Sequence, residues 1–291
     1  MSACAPALGK LSAISDLVRL PKQQGTLLLL WPTMWSLFIA SSGAPSWKHI
    51  LIFLLGTFFM RSAGCAINDL ADRKFDPEVE RTRTRPLASG RLKPVEALFV
   101  FALLTFLAFI LVLQLNTLTV MLSLAGLALA AVYPFVKRVS HFPQVVLGMA
   151  FGWGSVMAWS AVRGELSVVP FLIFVGNIFW STAYDTIYAL MDKEDDIKIG
   201  VKSTAIFFGS HVFNALVALY LLTCLALGAA GIIEGLGLVY LAGLVICLVL
   251  FLAVVGMVKS NPTRQTANWG FIANAFIGGV LLVFIIIDMN L

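Results

Sequence analysis

Charge is scarce in this chain. Asp, Glu, Lys and Arg make up 12% of its 291 residues and the mean hydropathy is +0.94, a composition that excludes a water-soluble enzyme with a polar surface. Cysteine is nearly as sparse. Cys4, Cys65, Cys224 and Cys247 are scattered, three of them inside apolar runs, so they form neither a metal-ligand pattern nor a disulfide framework. His49, His141 and His211 share no motif, and catalysis is assigned to none of them. Residues 1–22 lack the apolar core and small-residue cleavage site of a secretory signal, and also the Arg and Ser enrichment of a transit peptide. A bacterial inner membrane is the expected location.

What abounds is apolar sequence, 60% of the chain. Runs long enough for spans of about 20 residues recur near 24–42, 49–67, 95–113, 117–135, 143–161, 168–187, 207–229, 235–257 and 269–287. The fold class is therefore all-α: a polytopic membrane bundle of about nine transmembrane helices. Most connections are too short for a separate folded unit, so residues 1–291 are expected to form one domain. Leu11, Ile14, Leu17 and Val18 recur at helical spacing beside Lys10, Asp16 and Arg19, which predicts a short interfacial helix within residues 1–22, ended by Pro21. With the N-terminus cytoplasmic, Lys10, Arg19, Lys22, the Arg73 to Lys93 group, Lys137, Arg138, Lys193, Lys198, Lys202, Lys259 and Arg264 face inside. Only Lys48 and Arg163 then face outside, as the positive-inside rule requires. The net charge of +5 is thus a topology signal, and no nucleic-acid partner is expected.

The few acids are concentrated. Asn68, Asp69, Asp72 and Asp76 follow the second apolar run, and Asp185, Asp192, Asp195 and Asp196 follow the sixth. Four spans separate the clusters, so both reach the same membrane face, where carboxylates near hydrocarbon need compensation. A divalent cation such as Mg²⁺ provides it, using a few carboxylates and leaving positions for substrate phosphate. Asp69, Asp72 and Asp76 at i, i+3, i+7, and Asp185, Asp192 and Asp196 at i, i+7, i+11, are expected to line one helical face each. Asp195 falls off that face and is read as solvated. Trp31, Trp35, Trp47, Trp153 and Trp159 are read as interface anchors and packing residues.

Arg61 lies inside the second span, seven residues and nearly two turns before Asn68. A permanent guanidinium at that depth needs a carboxylate, either from a protein Asp or from a small aromatic acid as substrate. The loop from Arg81 through Arg85 to Arg91, together with Lys137 and Arg138, surrounds the acids with positive charge suited to a diphosphate.

These residues carry a resemblance. Asn68-Asp69-x-x-Asp72-x-x-x-Asp76, Arg81, Arg85-Pro86-Leu87-x-Ser89-Gly90, Tyr133-Pro134-x-x-Lys137-Arg138, and Tyr184-Asp185-Thr186-x-Tyr188-Ala189-x-x-Asp192 through Asp195-Asp196 to Gly200-x-Lys202-Ser203 resemble the UbiA-type membrane prenyltransferases over nearly the whole chain. The stretch from Tyr184 to Ser203, with Leu28 to Leu30 leading into Trp31-Pro32-Thr33, is most similar to the branch acting on 4-hydroxybenzoate in ubiquinone biosynthesis. Where some superfamily members have a further Asp, this chain has Ala189.

The resemblance implies a bundle around a central cavity, capped by cytoplasmic loops and open laterally to the lipid bilayer. It also implies transfer of a polyprenyl group from polyprenyl diphosphate to the ring carbon ortho to the hydroxyl of 4-hydroxybenzoate. Asn68, Asp72, Asp76, Asp192 and Asp196 would hold Mg²⁺, with Asp72, Asp185 and Asp192 assigned to catalysis. Arg61, Asp69, Arg81, Lys137 and Asp185 would contact substrate, Arg61 through the carboxylate and Arg81 and Lys137 through the leaving group. Two rivals stand beside this reading: a member of the superfamily with another aromatic acceptor, and a cation-coupled transporter. The surface location of the acids disfavours the transporter.

Overall fold

The structure, a computed structural model, describes residues 4–136 and 138–291. Among the described residues there is no strand, and the helices follow in the order α1 (Cys4–Leu17), α2 (Gln24–Ala40), α3 (Trp47–Asp72), α4 (Pro94–Val112), α5 (Thr117–Val136), α6 (Pro143–Arg163), α7 (Val168–Ala189), α8 (Lys193–Ile199), α9 (Thr204–Phe208), α10 (Val212–Glu234), α11 (Leu238–Ser260) and α12 (Arg264–Met289).

Eight segments among the described residues are long and apolar enough to cross a membrane: α3, α4, α5, α6, α7, the stretch Thr204–Glu234 that includes α9 and α10, α11 and α12. The chain is a multi-pass membrane protein. Every expected span falls on a helix, and the exception to full length is α2. Its 17 residues give about 26 Å at 1.5 Å per residue, short of a hydrocarbon core about 30 Å thick. A turn with Ser42 and Gly43 at positive φ stops it.

Local chemistry sets most other boundaries. The Ser46 hydroxyl accepts from His49 N (3.2 Å) at the start of α3, Thr263 caps α12 by accepting from Thr266 N, and Pro94 and Pro143 stand in the first turns of α4 and α6. Gly164 and Gly235 end α6 and α10 in the left-handed conformation that glycine adopts without strain.

At the centre α6 packs against α2, α5 and α7; α7 in turn packs on α10 and α12, α11 on α12, and α3 on α4. Trp35, Trp159 and Trp180 are buried in this core, whereas Trp47 is 79% exposed where α3 begins, as an interface anchor should be. Close approach of α12 to α2 and α7 depends on Gly278, whose added Cβ would fall on the Trp31 and Trp180 rings. Asn274 satisfies the buried polar atoms where α7, α10 and α12 meet. Asn274 Oδ1 accepts from Trp180 Nε1 (2.9 Å) and Tyr220 Oη (3.1 Å), and its Nδ2 donates to Gly270 O (2.8 Å). Outward positions on α4, such as Leu98, Phe99, Leu103 and Ile110, are exposed apolar residues, which suits a lipid-facing helix.

The N-terminal helix predicted from Leu11, Ile14, Leu17 and Val18 is present as α1, but it ends at Leu17, ahead of Pro21. Ala13 and Leu17 pack with Ala66, Leu92 and Ala97, while Leu11 is 64% exposed. Val18 to Pro21 form the turn that follows, with Arg19 at a φ of 58°, a left-handed conformation uncommon for a side chain of this size.

Candidate active site

Three segments meet at one end of the bundle: the last turns of α3, the loop from Arg73 to Lys93, and the end of α7 with α8. The expected continuity of the acidic faces is corrected here. α3 stops at Asp72, a turn intervenes, and Asp76 opens a separate 3₁₀ turn, Asp76–Glu78; α7 stops at Ala189, and Asp192 stands immediately before α8. Asp76 therefore does not share the helical face of Asp69 and Asp72, nor do Asp192 and Asp196 share that of Asp185. Pro77, in the first turn of the 3₁₀ segment, cannot donate to a continuing α-helix, and a new helix opens after Asp192 with three acids in its first turn.

A cavity of about 1150 Å³ opens beside these segments. Its polar end is lined by Arg19, Arg61, Asn68, Asp69, Arg81, Arg85 and Asp185, and its apolar part by residues of α3 to α6, including Phe53, Phe106, Leu127 and Phe151. Asp72, Asp76 and Asp192 are buried and are not among the residues that line it. Asp196 is half-buried on α8, and Lys137 lies outside the described residues.

Arginines organise the acids. Arg81 Nε donates to both oxygens of Asp192 (3.0 and 2.9 Å) and its Nη2 to Oδ2 (2.5 Å), while Nη1 donates to Tyr188 Oη (2.8 Å) and the guanidinium carbon stands 4.9 Å from the Tyr188 ring centroid. Arg85 Nη1 lies 3.1 Å from both Asp76 oxygens and 3.1 Å from Asp69 Oδ1. Arg19 Nη2 donates to the two Asp69 oxygens (2.8 and 3.1 Å), and its Nη1 donates to Asp16 O (2.8 Å). Arg19 makes these contacts from a left-handed backbone conformation. Asp195, read from sequence as solvated, instead pairs with Arg264 (3.1 Å) and Lys198 (3.6 Å), tying α8 to α12.

The electrostatics follow from this packing. Burial pushes the Asp76 carboxyl above the usual carboxylate range; Arg85 opposes the rise, and Asp72 and Asp69 add to it. Burial works against the charge of Arg81 and Arg85, but Tyr188 and Asp192 around the first, and Asp69 and Asp76 around the second, outweigh it and hold both guanidinium pKa values above normal. Both remain cationic under any physiological condition.

Arg61 stands apart. Its Nη1 donates to Cys65 Sγ, its guanidinium carbon lies 6.0 Å from the Phe151 ring centroid, and its Nε is buried without a hydrogen-bond partner. No carboxylate among the described residues forms an ion pair with it, so the reading of Arg61 as half of an internal salt bridge falls.

The acids suit a hard divalent cation in chemistry: Asn68, Asp69, Asp72, Asp76, Asp185, Asp192 and Asp196 offer only oxygen, with no imidazole beside them. Among the described residues no three acidic, His or Cys side chains are grouped to hold one ion. Asp69, Asp76 and Asp192 are held by arginines instead.

Sequence spacing did not reveal the roles of Arg19, Arg85, Tyr188 and Cys65. Arg85 and Tyr188 sit within motifs already singled out, so their presence was visible though their partners were not. Arg19 and Cys65 gave no signal beyond a basic residue after an amphipathic stretch and a thiol one turn from Arg61.

Comparison with known proteins gives a consistent result. Residues 29–276 match the model of the UbiA prenyltransferase family. A protein of Tolumonas auensis called 4-hydroxybenzoate octaprenyltransferase is 51% identical over 92% of this chain and 93% of its own. A protein of the same description from Vibrio parahaemolyticus is 45% identical over 96% and 98%. Among solved structures, a UbiA homologue from Aeropyrum pernix superposes with a TM-score of 0.77 at 24% identity, covering 90% of this chain and 98% of that one. One from Archaeoglobus fulgidus, bound to GPP and Mg²⁺, gives 0.70 at 18% identity, covering 96% and 100%.

Proposed function

Because this chain belongs to the UbiA prenyltransferase family, we propose that it transfers a polyprenyl group from polyprenyl diphosphate to the ring carbon ortho to the hydroxyl of 4-hydroxybenzoate in ubiquinone biosynthesis, releasing diphosphate and the proton of the ring C–H bond that the new C–C bond replaces. The whole chain acts as one catalytic unit in a bacterial inner membrane, with residues 1–22 and the acidic end of the cavity on the cytoplasmic side. The observation that carries the reading is Arg61. It is a permanent cation on the wall of a largely apolar cavity, with no ion-paired carboxylate among the described residues, placed where the carboxylate of a small aromatic acid can reach it.

The residues divide the work. Arg61 binds the acceptor carboxylate and so fixes the ring in the cavity. The aromatic walls, Tyr133, Phe151, Tyr184 and Tyr188, exclude water and offer π faces to the allylic cation left when the donor C–O bond breaks. Asn68, Asp72, Asp76, Asp192 and Asp196 would hold Mg²⁺, with Asp69 and Asp185 completing the polar end. The metal, when bound, supplies Lewis-acid stabilisation of the departing diphosphate. Arg81 and Lys137 neutralise the same leaving group, and Arg81 reaches phosphate by giving up part of its hold on Asp192. The donor's tail lies along the apolar part of the cavity. It meets lipid between α4 and α5, consecutive helices that both line the cavity yet make little contact with each other.

The test is a membrane assay with labelled polyprenyl diphosphate and 4-hydroxybenzoate, with and without excess EDTA. Prenylated acid that disappears on chelation is the expected result. Full turnover in EDTA would remove the metal from the mechanism, and no product with this acceptor would remove the assignment.

A further inference from the structure

Arg61 is held in place by an absence. Gly25, in the first turn of α2, is buried on the cavity wall, and a Cβ built on it would stand 2.4 Å from Arg61 Nη2, 2.5 Å from Nε and 2.9 Å from the guanidinium carbon. Those three distances place the missing carbon at the Nε–Nη2 edge, so this edge of the guanidinium packs directly on the α2 backbone. Gly25 has no positive φ, and the backbone therefore does not require glycine there. Only the space does. On the opposite edge Nη1 donates to the sulfur of Cys65, one turn along α3.

We propose that Gly25 and Cys65 form a socket that sets the position of the Arg61 guanidinium, and that they thereby determine how well the enzyme recognises the carboxylate of its aromatic acceptor. Gly25 and Cys65 are positioning residues acting through Arg61; the inference rests on the reading that Arg61 receives that carboxylate. A bidentate guanidinium–carboxylate pair is sensitive to small displacements because both hydrogen bonds need alignment at once. A methyl group at position 25 would meet the far end of a flexible side chain, which can move aside. Gly25→Ala should thus displace the guanidinium without disrupting the fold. At Cys65 a hydroxyl can replace the sulfur as acceptor, and a methyl cannot.

The experiment measures KM and kcat for both substrates, direct binding of 4-hydroxybenzoate to the purified full-length protein, and the unfolding midpoint in detergent, for Gly25→Ala, Cys65→Ala, Cys65→Ser and Arg61→Ala. In Gly25→Ala the acceptor KM and dissociation constant should rise by about tenfold or more, as when a charge-assisted pair is misaligned, with donor KM and unfolding midpoint unchanged. Cys65→Ala should move the acceptor constants the same way and Cys65→Ser should recover most of the loss. Wild-type acceptor binding in Gly25→Ala and Cys65→Ala, with Arg61→Ala impaired, would overturn the socket alone. Unimpaired acceptor binding in Arg61→Ala would overturn the carboxylate reading beneath it, and the socket with it. Should Gly25→Ala fail to fold, the two Cys65 variants decide: loss in Ala with recovery in Ser supports the socket, and equal behaviour of the two contradicts it.

Discussion

Arg85 holds two carboxylates, Asp69 and Asp76, while Arg19 holds only Asp69, which keeps Arg85 if Arg19 is lost. The two arginines are therefore unequal. Breaking a buried pair by removing one partner typically costs about 3 to 5 kcal/mol because a charge is stranded, so Arg85→Ala should lower the unfolding midpoint in detergent well below that of Arg19→Ala, and equal shifts would contradict the geometry. Asp72→Ala and Asp192→Ala should abolish turnover while membrane levels stay normal; normal rates in both would remove the acids from catalysis. At this scale the sequence was legible where chemistry is local. Arg61, Asn68 and Asp69 lie on one helix, and their spacing alone brings them to one cavity wall. The pairings of Arg19 with Asp69 and Arg81 with Asp192 cross 50 and 111 positions of chain, and no local period encodes them.

Among the elements, the junction of α7, α10 and α12 turns on Asn274. Asn274→Ala would leave Trp180 Nε1 and Tyr220 Oη without their common acceptor, and each buried donor stranded in this way costs about 1 to 3 kcal/mol. A lower unfolding midpoint with unchanged KM for both substrates is the expected outcome, and a midpoint equal to wild type would mean that the network carries no stability. Apolar length alone located the helices, because a spanning helix must satisfy its own backbone in lipid. It could not locate the breaks after Asp72 and Ala189. Acids spaced by multiples of a turn read as one continuous face, and only Pro77 hinted that the first run ends. Asp195 was misread for a related reason: its partner Arg264 comes from α12, far along the chain.

For the whole molecule, the cavity combines a polar end crowded with charge and an apolar length lined by residues of α3 to α6. A tail lying there gains burial only until it reaches lipid, after which protein and bilayer are nearly equivalent surroundings. Donors of about three to about eight isoprene units should therefore be used with similar kcat/KM, and a sharp optimum with steep losses on both sides would indicate a closed pocket. The bundle and the placement of both acidic clusters at its charged end could be read from hydropathy and charge, since burial in lipid leaves few alternatives; the sharing of acids among arginines could not. Selection of an aromatic carboxylate by Arg61 is tested most directly by turnover in membranes with one labelled polyprenyl diphosphate and two acceptors, 4-hydroxybenzoate and its methyl ester. The expected result is prenylation of the free acid and little or none of the ester, with this preference lost in Arg61→Ala; equal prenylation of acid and ester by the wild-type protein would contradict it.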